Sequence, residues 1–98
     1  MQRGRLTVMP SKDGAVENAR NDLAKRLNID PGDVKQKSVD DDDFPDMALG
    51  AAEDGEMSGQ MLTSGWRIRL EAQGKTYEYR ADKNQVRLYK FKGKNYRI

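Results

Sequence analysis

Gly65-Trp66-Arg67-Ile68-Arg69-Leu70-Glu71-Ala72-Gln73-Gly74-Lys75-Thr76-Tyr77-Glu78-Tyr79-Arg80-Ala81-Asp82 is the stretch whose reading decides the fold. Trp66, Ile68, Leu70 and Ala72 alternate with Arg67, Arg69 and Glu71, and Tyr77, Tyr79 and Ala81 alternate with Glu78 and Arg80. A period of two marks strands with one buried and one wet face. Gln73-Gly74, between the two runs, offers the left-handed backbone that a tight turn needs. The stretch therefore predicts a β-hairpin with an apolar face to be covered and with Arg67, Arg69 and Arg80 in water.

Upstream, Val16, Ala19, Leu23 and Leu27 recur every three or four residues among polar ones, which predicts an amphipathic helix over 14–28. Ser11 or Asp13 can cap its start, Asn28 can take the left-handed turn at its end, and Pro31-Gly32 prevents continuation. Residues 5–9 read as a short first strand. Val34–Val39 reads as an edge strand that the four charges of Asp40, Asp41, Asp42 and Asp43 stop, and Met57–Thr63 as a strand leading into the hairpin. In Gln85–Lys92 the apolar phase changes between Leu88 and Tyr89, as a bulge or a strand that leaves the core partway would make it, and 96–98 reads as a last short strand. A helix followed by consecutive antiparallel strands is an α+β pattern. The expectation is one domain spanning 1–98, with one N-terminal helix packed on an antiparallel sheet of four to five strands and a long acidic loop at 40–58.

Charge is separated along the chain. Residues 40–56 carry eight carboxylates and no Lys or Arg, whereas residues 66–98 carry ten Lys or Arg and three carboxylates, within a net charge of +2. The two blocks can attract each other or steer different partners. The chain has no cysteine and no histidine, which removes thiolate and imidazole metal ligands and the commonest general bases. We expect no enzyme activity, no cofactor and no metal. No apolar run approaches the roughly 18 residues of a membrane-spanning helix, and Met1-Gln2-Arg3-Gly4-Arg5 is followed by too little apolar sequence for a signal peptide. The chain is expected to be soluble.

Ala19 to Asp30 (ARNDLAKRLNID), Phe44 to Gly50 (FPDMALG) and Gly59 to Asp82 (GQMLTSGWRIRLEAQGKTYEYRAD) together resemble a family of small, uncharacterised bacterial domains, many of them exported. The resemblance covers about two thirds of the chain. Phe44 stands where the family usually has Trp, Ala51-Ala52 where it has Cys-Pro, Ser64 where it has Pro and Arg80 where it has His. The family often has a second cysteine near Leu88 or Tyr89, so both halves of its disulfide are missing here. The resemblance implies a fold and a leaning towards an exported or cell-envelope location. It implies no activity.

Three surfaces invite a functional reading. The acidic block could hold calcium, but the spacing of a calcium loop is absent and Phe44-Pro45 interrupts the carboxylates, so the ordinary reading is a loop facing the basic strands. The basic C-terminal third with its aromatics has the composition of a single-stranded nucleic-acid surface, yet the alternation puts arginines and aromatics on opposite faces. Gly59-Gln60-Met61-Leu62-Thr63-Ser64-Gly65 is similar to the hairpin loop of cystatin protease inhibitors, one residue longer and without their valine. The favoured expectation is a non-catalytic binding module whose protein partner meets Asp40, Asp41, Asp42, Asp43, Phe44, Asp46 and Met47 of the acidic loop with Thr63 and Trp66 at the hairpin mouth. A monomer or a weak dimer through the edge strand is expected, without membrane insertion.

Overall fold

The structure, a computed structural model, describes residues 11–98. The strand expected over 5–9 lies outside the described residues. Helix α1 runs Lys12–Leu27, two residues earlier than its apolar period indicated, because Ser11 takes the cap and accepts from the Gly14 amide at 2.9 Å. Asn28 ends it at φ 58°, and Ile29 folds back with its N–H on the Ala24 carbonyl. A single 3-10 turn at Pro31–Asp33 follows. Then come β1 (Lys35–Phe44), β2 (Thr63–Ala72), β3 (Lys75–Ala81), β4 (Val86–Phe91) and β5 (Lys94–Arg97), in one antiparallel sheet of order β1-β2-β3-β4-β5. This is the α+β arrangement expected, with five strands.

The β2–β3 hairpin turns at Gln73 and Gly74, both left-handed (φ 54° and 78°), and sets Ile68 opposite Tyr79 and Leu70 opposite Tyr77. Leu88 lies beyond Tyr79, so one face of the sheet collects Ile68, Leu70, Tyr79, Ala81, Val86 and Leu88. Helix α1 covers it with Ala15, Val16, Ala19, Leu23 and Ala24. The bulge in β4 is present: Lys90 adopts φ 54° and the β4–β5 register slips between Leu88 and Phe91. It returns Phe91 to the helix side, where it meets Tyr77 and Tyr96 at ring separations of 5.9 and 6.3 Å beneath the Arg26 guanidinium.

Two sequence expectations are corrected. Residues 40–43 do not leave the sheet: β1 runs through all four aspartates to Phe44. Successive side chains in a strand point to opposite faces, so the four carboxylates are divided between two sides, and each side supplies a cation. Lys12 reaches Asp41 at 3.2 Å on the helix side, and Arg67 holds Asp42 at 2.7 Å on the other. Residues 57–62, in turn, form no strand, and β2 begins only at Thr63. The long connection is therefore 45–62, and it folds back over the second face of the sheet.

Candidate functional site

The second face carries an arginine row. Register places Arg67 beside Arg80, Arg80 beside Arg87 and Arg87 beside Arg97 on four successive strands. Adjacent like charges repel, so the row needs anions and carbonyls around it. Glu78 supplies one carboxylate to Arg67 at 2.6 Å and to Arg80 at 2.8 Å. Asp42 adds a second carboxylate to Arg67, Gln85 Oε1 accepts from Arg87 Nε, and the 45–62 connection does the remaining work: Leu49 O accepts from Arg80, Ala51 O accepts from Arg87, and Glu56 accepts both terminal nitrogens of Arg87. Arg80 and Arg87 are thereby buried, where the alternation had left Arg67, Arg69 and Arg80 in water. Alternation assigns a side chain to a face and is silent on what returns to cover that face.

Phe44, expected as an exposed anchor, is 1% exposed. It lies under the Arg67 and Arg80 guanidinium groups at 5.4 and 5.3 Å, and Ala48, Leu49 and Ala51 are buried in the same layer. The Pro45-Asp46-x-x-Leu49-Gly50 wording has a mechanical reason. The Asp46 carboxylate accepts the amides of Ala48 and Gly50, both at 2.9 Å, and Leu49 and Gly50 follow in left-handed conformation (φ 60° and 66°). Gly50 is needed for close approach, since a Cβ there would stand 2.7 Å from Arg80 Nη1. Asp46 thus shapes the turn that brings the Leu49 carbonyl to Arg80.

With its middle tied down, the connection leaves its two ends at an open groove of about 1090 Å³. The end of β1 (Asp41, Asp42, Asp43), Met47, the lead into β2 (Met61, Leu62, Thr63) with Ser64, Gly65 and Trp66, and the β3–β4 turn (Asp82 to Gln85) line it. Of the residues expected at a partner surface, Asp41, Asp42, Asp43, Met47, Thr63 and Trp66 are brought together here. Asp40 does not line the groove, Phe44 lies beneath the arginines, and Asp46 is held in its turn. Three apolar side chains stand out into solvent at the groove: Met47 at 50%, Met61 at 63% and Leu62 at 69% exposure.

The wall opposite the acids was not anticipated, although the hairpin register contains it. Trp66 opposite Ala81 carries Gly65 to the level of Asp82, so the β3–β4 turn had to stand beside the hairpin mouth. Asp82 caps that turn by accepting the Asn84 and Gln85 amides, and Gln85 Nε2 donates to the Met47 carbonyl at 2.8 Å, tying the turn to the acidic connection. Asp42 is held below the usual carboxylate range by its hydrogen bond from Arg67 and by the Asp43 amide. Asp43 accepts from the Ser64 hydroxyl. Among the described residues no group of three or more carboxylates is placed to hold a metal ion, and no helix is long and apolar enough to cross a membrane.

One protein family, described as a domain of unknown function (DUF8738), matches residues 16–89, from the second turn of α1 into β4 and across the whole acidic connection. No curated protein and no solved structure matches the chain.

Proposed function

The chain belongs to this family of domains of unknown function (DUF8738), and from that premise we propose that it is a non-catalytic interaction module that holds a protein partner in the groove at the hairpin mouth. The observation that carries the reading is the juxtaposition of Met47, Met61 and Leu62, all half or more exposed, with the carboxylates of Asp41 and Asp43 on one rim. Exposed apolar side chains grouped beside charge are the composition of a recognition surface, and unbranched Met adapts to varied contacts. The fitting partner is a basic segment with bulky apolar side chains: the cations meet the aspartate rim and the apolar groups enter between the methionines. In keeping with the exported domains that its motifs resemble, the module is read as acting outside the cytoplasm or at the cell envelope.

The alternative of single-stranded nucleic acid is less favoured, because Arg67, Arg80 and Arg87 of the basic strands already hold Asp42, Glu78 and Glu56. Panning a random peptide library against the whole chain tests the preferred reading. Enriched peptides should combine Lys or Arg with large apolar residues. Met61→Ser with Leu62→Ser, and separately Asp41→Ser with Asp43→Ser, should each weaken them by about tenfold or more. Enrichment of acidic or wholly polar peptides, or binding indifferent to both double variants, overturns it.

A further inference from the structure

β1 closes one side of the sheet, and among the described residues nine of its ten positions pair, all of them with β2. A bare edge of this length is open to another strand, and proteins blunt such edges with charges and bulges. β1 has a bulge between Gln36 and Ser38, but its charges are not scattered. Lys35 and Lys37 come first, Val39 stands at the middle, and Asp40 to Asp43 follow.

That order is self-complementary in one orientation only. Laid antiparallel on a second copy about a two-fold axis at Val39, the basic end of each β1 runs along the acidic end of the other. In parallel alignment the aspartates face aspartates, and like charges across a strand pair repel. Lys35 and Asp40 make no ion pair among the described residues, so both remain to be matched from outside. We propose that the chain associates with a second copy of itself through the β1 edges, antiparallel about Val39, joining two sheets into one of ten strands. A two-fold contact of this kind uses the same patch on both copies and closes on itself. Asp42 is already held by Arg67, so the new ion pairs are those of Lys35 with Asp43 and of Lys37 with Asp41 across the axis, and the dimer is reversible.

Sedimentation equilibrium of the whole chain at low salt should show a concentration-dependent dimer. Lys35→Glu with Lys37→Glu, and separately Asp40→Lys with Asp43→Lys, should each weaken it by about tenfold or more, and an equimolar mixture of the two should recover a mixed dimer. Orientation has its own readout, since the chain contains no cysteine. Val39→Cys, at the two-fold axis, should oxidise to a disulfide-linked dimer, the facing Cα atoms of an antiparallel pair being about 4.5–5.5 Å apart, while Lys94→Cys in β5 should not. A folded wild-type chain that remains a monomer up to about 1 mM, reversal variants that dimerise like the wild type, or Val39→Cys that stays monomeric under oxidation overturns the proposal. Peptide binding in the groove is measured separately and can survive that result.

Discussion

Glu56 closes on Arg87 with both of its oxygens, Nη1 to Oε1 at 2.6 Å and Nη2 to Oε2 at 2.7 Å, and the Arg87 side chain is 2% exposed. Thirty-one positions of sequence separate the two, so the pair fastens the acidic connection to the fourth strand. Truncating the carboxylate leaves a buried guanidinium that keeps, among the described residues, Gln85 and the Ala51 carbonyl as acceptors. Because Glu56 is itself one quarter exposed, we expect Glu56→Ala to cost about 2–4 kcal/mol, at or below the usual loss for a broken buried pair. Asp54→Ala in the same connection, at an exposed position, should stay within about 0.5 kcal/mol. Urea midpoints of the three chains decide between them.

The same contact sets an acid limit. The hydrogen bonds from Arg87 and from the Glu53 amide bring Glu56 from 4.5 down to about 2. A carboxylate depressed in the fold stabilises above its unfolded value and loses that contribution as pH falls towards its folded value. Stability tied to Glu56 is therefore whole above 4.5 and disappears towards 2. Asp42, lowered chiefly by Arg67, acts in the same direction. Unfolding free energy followed through this window should fall steeply in the wild type and less steeply in Glu56→Gln. Equal slopes would show that the pair does not govern acid stability.

Phe44 carries the second layer. It is the large apolar side chain under Arg67 and Arg80, and the Leu49 turn closes beside it. Phe44→Ala should cost about 3–5 kcal/mol, the usual range for a buried aromatic removed. The loss should begin locally: amides of Ala48 to Ala51 should exchange with solvent faster than those of Ile68 or Tyr79, which the helix side holds.

These two layers differ in how readable they are from sequence. The helix side follows from periods of 3.6 and 2, which report local geometry that neighbours only ratify: Leu23, Ile68 and Tyr79 lie where the alternation puts them. The connection side depends on pairings between distant residues. Four consecutive aspartates read alone argue against a strand, and their partners Lys12 and Arg67 lie far away in sequence. Charge segregation did point to an acidic block meeting basic strands. It could not say that Arg80 and Arg87 would be buried by that meeting, nor that Phe44 would go under them, because both depend on the Asp46 turn. Met61 and Leu62 were misread through apolarity, which marks a core strand and an exposed recognition edge alike.

Tyr79 joins helix to sheet through its hydroxyl, which donates to Asp22 Oδ2 at 2.8 Å while Arg26 holds the same oxygen at 2.7 Å. Tyr79→Phe should cost about 1 kcal/mol, the net value of a typical hydrogen bond, because Asp22 keeps Arg26. Burial, with the adjacent Asp22 carboxylate, pushes the phenol above its ordinary value of 10. A raised folded value means stability is intact below 10 and declines as pH rises beyond it. Absorbance titration should show one tyrosine that ionises only as the fold is lost. Four tyrosines ionising together before unfolding would contradict this.

Gly65 makes the sharpest test of the groove wall. It carries no left-handed backbone, so the requirement for glycine is one of space: a Cβ there would run into the Ala81 carbonyl. Ala81 cannot easily yield, being paired with Trp66 on one side and Val86 on the other, with the Asp82 amide fixed on the Gln85 carbonyl at 3.0 Å. Gly65→Ala should therefore cost about 1–3 kcal/mol, the range for an overfilled packed site. Its amide shifts should concentrate at Asp82 to Gln85 across the groove. Gly74→Ala is the control, since Gly74 has open space around its Cβ position and only its φ of +78° to defend, so about 1 kcal/mol with shifts confined to the hairpin turn is expected. If Gly65→Ala behaves like Gly74→Ala, strand β3 is not braced against the hairpin mouth, and the groove has a softer wall than its hydrogen bonds imply.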